Sequence, residues 1–62
     1  MNKQEMIKQL HARIVYNQEQ RAYYEGLYEN DPSPVWSEMI DWYKGKLAAF
    51  NIALDMAEEL EE

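Results

Sequence analysis

Residues 30–34 read Asn-Asp-Pro-Ser-Pro, the one place where strong helix breakers cluster, and they divide the chain into two stretches of similar length. Two prolines two positions apart cannot continue a helix that arrives from the N-terminal side. Each lacks an amide hydrogen and forces the residue before it out of the helical region. They can begin a helix, with Asp31 or Ser33 as N-cap and the following proline at the first helical position. Upstream, Gly26 can close the first helix in a left-handed cap, with Leu27 folding back on the preceding turn; otherwise the helix runs on to about Asn30. The expected elements are helix 1 over about residues 3–25, a turn over about 26–33 and helix 2 over about 34–60, in a single domain spanning 1–62.

The second stretch carries the stronger pattern. Trp36, Ile40, Tyr43, Leu47, Phe50, Leu54 and Ala57 follow one another at spacings of four and three, an unbroken apolar seam on one helical face. In the first stretch Ile7, Leu10, Ile14, Asn17, Arg21, Tyr24 and Tyr28 share a face, with Asn17 and Arg21 as polar interruptions. Helix 2 has a second stripe, Trp42, Gly45, Ala49, Ile52 with Ala53, and Met56, well round the cylinder from the first. Its middle is made of small residues, which let two helix backbones approach closely. A helix that is apolar on two sides needs two neighbours. Helix 1 supplies one and a second copy of the chain supplies the other. The expected fold is therefore all-α, a helical hairpin of two long antiparallel helices that dimerises into a four-helix bundle.

Size and charge narrow the function. A chain of 62 residues and 7.4 kDa buries only roughly 60% of the surface it exposes when unfolded. With no cysteine to form disulfides, oligomerisation is the ordinary remaining support. Net charge is −6, split unevenly: Lys3, Lys8, Arg13 and Arg21 against Glu5 and Glu19 leave residues 1–24 at +2, while residues 25–62 stand at −8. That acidity disfavours nucleic acid and anionic membranes as partners. The sequence has neither a signal-peptide run nor a bilayer-spanning one, which predicts a cytoplasmic protein. So short a chain has little material to wall in an active site. The acidic end, Glu58-Glu59-Leu60-Glu61-Glu62, puts carboxylates where the helix dipole disfavours them, so the last turn is expected to fray.

No catalytic set is expected. His11 is the sole histidine and has no carboxylate three or four residues away. Nucleophile–base pairs, glycine-rich phosphate loops and metal motifs are missing, so no metal or other cofactor is expected. Two groups of residues suit binding. At the dimer, Arg21, with Arg13 or His11, Asn17 and tyrosines such as Tyr24, could hold an anionic, nucleotide-like ligand, since guanidinium groups suit phosphates and stack on aromatic rings. The plainer reading makes Asn17 and Arg21 a polar layer fixing register, with Arg21 bonded to Asp41, Asp55 or a tyrosine hydroxyl of a neighbouring helix. Trp42, Tyr23 and Tyr16 lie off the main seams, and tyrosine and tryptophan are enriched where proteins bind one another. The plainer reading gives them to a dimer interface.

Ser37-Glu38-Met39-Ile40-Asp41, near the start of the second helix, resembles the Ser-Gln-Glu-Leu-Asp signature of the small two-helix aspartyl-phosphate phosphatases of spore-forming bacteria. Ser37, Ile40 and Asp41 fall on the signature, while Glu38 and Met39 depart from it. That resemblance implies action on a phosphorylated response regulator. In size, acidity and aromatic content the whole chain also resembles the small phage and prophage proteins that inhibit host defence or regulation, which implies stoichiometric binding of a host protein or a nucleotide signal. The expected function is accordingly that of a non-enzymatic, homodimeric inhibitor or regulator. The phosphatase and a purely structural dimerisation module are the alternatives.

Overall fold

The computed structural model describes residues 2–61 as two long helices packed side by side, α1 (Lys3–Asn30) and α2 (Pro34–Glu59). They form a rod with extents of 48 × 14 × 13 Å. Asn2 caps α1, its side-chain oxygen accepting from the Glu5 amide at 2.8 Å. This satisfies one of the four amides that a helix start leaves open.

Gly26 does not end α1. The helix continues through it to Asn30, and no glycine among the described residues has positive φ. One glycine costs a helix only about 1 kcal/mol, and the half-buried Leu27 beyond it packs in the hairpin. The Asn30 side-chain amide also donates to the Gly26 carbonyl at 3.3 Å. Pro32 is the effective stop. It holds Asp31 extended (φ −147°, ψ 93°), and the Asp31 amide closes the helix on the Leu27 carbonyl at 3.0 Å.

The connection is therefore only residues 31–33. Ser33, not Asp31, is the N-cap of α2, its hydroxyl accepting from the Val35 amide at 3.2 Å, with Pro34 in the first helical position. At the open end, Lys3 Nζ donates to the Leu60 carbonyl at 2.8 Å. A cation there offsets the carboxylates of the acidic end, and α2 stays helical through Glu59.

The core is one layer thick. Ile14, Leu47 and Leu54 form its buried centre, with Ile7, Leu10 and Phe50 packed against them. Ala57 and the polar Asn17 are also buried. Every position of the expected α2 seam is at least half-buried. Two helices cover only one face of each other, so the remaining large apolar side chains stay in contact with solvent.

Candidate functional site

Beside the turn the hairpin holds a run of aromatic rings. Tyr24 of α1 stacks on Tyr43 of α2 with centroids 5.8 Å apart and planes at 17°. It also lies 5.9 Å from Trp36 at 33°, and 5.1 Å from Tyr23 edge-on at 79°. Trp36 and Tyr43 are seven residues apart, so both present to α1 on the same face. Lys46 extends the run outward: its ammonium is 5.7 Å from the Tyr43 centroid and 5.9 Å from that of Trp42. That is cation–π range for both rings. Desolvation pushes the Tyr43 phenol above its ordinary pKa, and the phenols of Tyr16 and Tyr24 add to the rise.

Of the three residues expected to meet a partner, all are exposed: Tyr16 at 55%, Tyr23 at 60% and Trp42 at 62%. Tyr23 and Trp42 are the two outer ends of the aromatic run, and Tyr16 lies near enough to Tyr43 to affect its titration. The structure thus gathers them along one edge of the hairpin. Phenol and indole offer contact area and single hydrogen bonds here rather than proton transfer at neutral pH.

The five residues considered for an anion stand in different local settings within the hairpin. Arg21 turns along its own helix to Glu25, Nε to Oε1 at 3.5 Å, rather than across to Asp41, Asp55 or a tyrosine. The spacing of four makes that pair the nearest available. His11 and Arg13 are exposed, and Tyr24 belongs to the aromatic run. Asn17 is 2% exposed, its side-chain nitrogen donating to the Arg13 carbonyl at 2.7 Å and its oxygen without a partner. It is buried, as its place on the stripe predicts, but its hydrogen bond stays within α1 rather than crossing to α2.

The Ser37–Asp41 segment lies on the first turns of α2. The Ser37 hydroxyl donates to the Pro34 carbonyl at 3.0 Å, Ile40 is half-buried and Asp41 is exposed.

A second feature lies at the open end of the hairpin. Met6, Ala53, Met56, Ala57 and Leu60 line an apolar groove of about 300 Å³. Ala53 and Met56 belong to the second stripe of α2 and Ala57 to its seam; Leu60 and Met6 join them only through the register of the hairpin. Among the described residues, no group of three or more His, Cys, Asp or Glu is placed to hold a metal ion, and no helix is long and apolar enough to cross a membrane. Comparison with known proteins finds no family, no curated sequence and no solved structure that matches the chain.

Proposed function

We propose that the protein is a non-enzymatic binding module, a homodimer of hairpins that acts stoichiometrically on a partner protein through the aromatic edge of Tyr16 and Tyr23. One observation carries this reading. Among the described residues, nine large apolar or aromatic side chains are 40–64% exposed on a hairpin this small. Scattered exposed apolar residues are normal, but a concentration of this kind marks an interaction surface. The turning of Arg21 to Glu25 favours a protein over a nucleotide as the target, because it engages the guanidinium that a phosphate would need. A chain without cysteine suits the reducing cytoplasm. In this respect the protein acts in the manner of the small phage and prophage inhibitors that it resembles.

The test places a photo-crosslinking amino acid at Tyr23 in cells that carry the protein, with Lys8 as the control position. The expected result is one discrete adduct with another protein at position 23 and none at position 8. Adducts only between copies of the chain would overturn the reading. So would a native mass spectrum in which the purified protein retains added mass in the nucleotide range.

A further inference from the structure

We propose that one broad side of the hairpin, built by both helices, docks an acidic amphipathic helix of the partner protein, with a carboxylate of that helix held between Arg13 and Lys46. The inference rests on the partner-protein reading above and adds the chemistry of the segment that docks.

Ile14 and Leu47 mark the buried lines of α1 and α2. At about 100° per residue, Arg13, Tyr16 and Gln20 lie about 100–160° round from Ile14. Trp42, Lys46 and Ala53 lie on the same arc, in the same sense, from Leu47. In antiparallel helices equal turns of one sense lead to one side of the pair. Contacts across the hairpin agree: Tyr16 acts on the titration of Tyr43, and Met6 shares the open-end groove with Ala53. None of the carboxylates of α1 and α2 falls in that arc. Glu29, Asp41 and Asp55 turn to the opposite side, while Glu5 and Glu38 stand at the outer margins. An acidic protein thereby has one side on which the charges are two cations, Arg13 and Lys46.

Charge selects the occupant. Among the described residues neither Arg13 nor Lys46 pairs with a carboxylate of its own chain. With Lys3 level with Leu60 and Met6 with Ala57, the two cations stand about 6 Å apart along the rod, one helical turn. Two long cationic side chains so placed on neighbouring helices can reach one carboxylate. The rings of Tyr43 and Trp42 already steady the Lys46 ammonium, at 5.7 and 5.9 Å, which lowers the entropy it loses on pairing. Apolar groups flank the pair: Tyr16 and Trp42 are exposed, and the open-end groove continues the surface. The chain's opposing carboxylates lie across a rod 13 Å thick, beyond the ~8 Å screening length at physiological ionic strength. A second copy would set like cations against each other. An anionic membrane is gripped by clusters of about 4–8 basic residues rather than by two. A helix laid between α1 and α2 suits the shape, since a twenty-residue helix covers about 30 Å of the 48 Å rod.

The probes are two labelled synthetic helices of about 20 residues, each with a leucine stripe, one flanked by glutamates and its twin by lysines. Fluorescence anisotropy with the full chain should show the glutamate helix binding at least tenfold tighter than the lysine twin. A net charge of −6 by itself would give the opposite preference. Arg13→Glu/Lys46→Glu should remove the preference for glutamate, and so should Arg13→Gln/Lys46→Gln, which adds no carboxylate. Lys8→Glu/Lys44→Glu, with the same net charge as the first pair, should keep it, with helicity by circular dichroism equal throughout. A photo-crosslinker at Gln20 should join the chain to the glutamate helix, and one at Gln18, on the opposite side, should not. Binding of neither helix, or preference for the lysine twin, overturns the proposal. Adducts at Gln20 between two copies would give this side to a second copy. Co-sedimentation with phosphatidylcholine–phosphatidylserine vesicles would give it to a lipid surface, and either result also overturns the proposal. A discrete Tyr23 adduct in cells without a glutamate preference overturns the acidic segment while the partner-protein reading stands. An absent Tyr23 adduct overturns both.

Discussion

The rings of Tyr24 and Tyr43 stack at 5.8 Å with their planes 17° apart, joining α1 to α2 across the half of the hairpin nearest the turn. The buried aliphatic cluster is centred on Ile14, Leu47 and Leu54, so this ring pair is a separate anchor. Removing either ring should cost about 2 kcal/mol, below the 3–5 of a fully buried aromatic because both are half-buried. The double variant Tyr24→Ala/Tyr43→Ala should show a coupling of about 0.5–1.5 kcal/mol in urea denaturation. Strict additivity would mean that the two rings touch without stabilising each other.

Tyr43 also couples folding to alkaline pH. Desolvation, reinforced by Tyr16 and Tyr24, raises its pKa in the folded state, so the folded protein holds this proton more tightly than the unfolded chain does. Its contribution is complete below the ordinary tyrosine value near 10 and is lost as pH climbs through the higher folded value. Phenolate absorbance followed with pH should show one late-ionising tyrosine, and Tyr43→Phe should remove it. If the late component survives in that variant, the raised group lies elsewhere.

Asn17 is the core position where the hairpin forgoes stability. Its side-chain oxygen is buried without a partner, and an unsatisfied buried acceptor costs about 1–3 kcal/mol. Asn17→Leu should therefore raise the urea midpoint, by about 1–2 kcal/mol after repacking against Leu47 and its neighbours. A loss of stability would show that the oxygen has found a partner, such as a trapped water.

Arg21→Ala should leave a folded protein. Both partners of the Arg21–Glu25 pair are exposed, at 41% and 46%, and such i,i+4 pairs contribute about 0.3–0.5 kcal/mol. A loss above 1.5 kcal/mol in urea denaturation would mean that the guanidinium holds the two helices together instead.

Legibility in the sequence followed the kind of signal. The α2 seam could be read at once, because spacings of four and three over Trp36 to Ala57 admit one buried face and α2 buries it. Asn17 could be read for the same reason. Arg21 shares its stripe, yet a long side chain at the edge of a buried face can turn along its own helix. Glu25, one turn on, decided the matter. Gly26 misled because a left-handed cap needs glycine, whereas glycine does not need a cap. The open-end groove depends on Met6 meeting residues from 53 to 60, a juxtaposition that only the register of the hairpin creates.

The two glycines separate helix propensity from packing. Gly26 is exposed within α1, with φ below zero and nothing within 4 Å of the place an added methyl group would take. Gly26→Ala should therefore stabilise the protein by about 1 kcal/mol through propensity and unfolded-state entropy. In a domain of this size that gain corresponds to a rise in Tm of about 4–8 °C. Gly45 has the same local geometry, and in an isolated hairpin Gly45→Ala would give the same rise. Were a second copy of the chain to pack against it, the added methyl group would hold the helices apart, and the rise would shrink or reverse as protein concentration increases. Melting both variants across a hundredfold range of concentration makes the comparison. Equal gains throughout would mean that Gly45 faces solvent, and a divergence that grows with concentration locates the contact between copies at that residue.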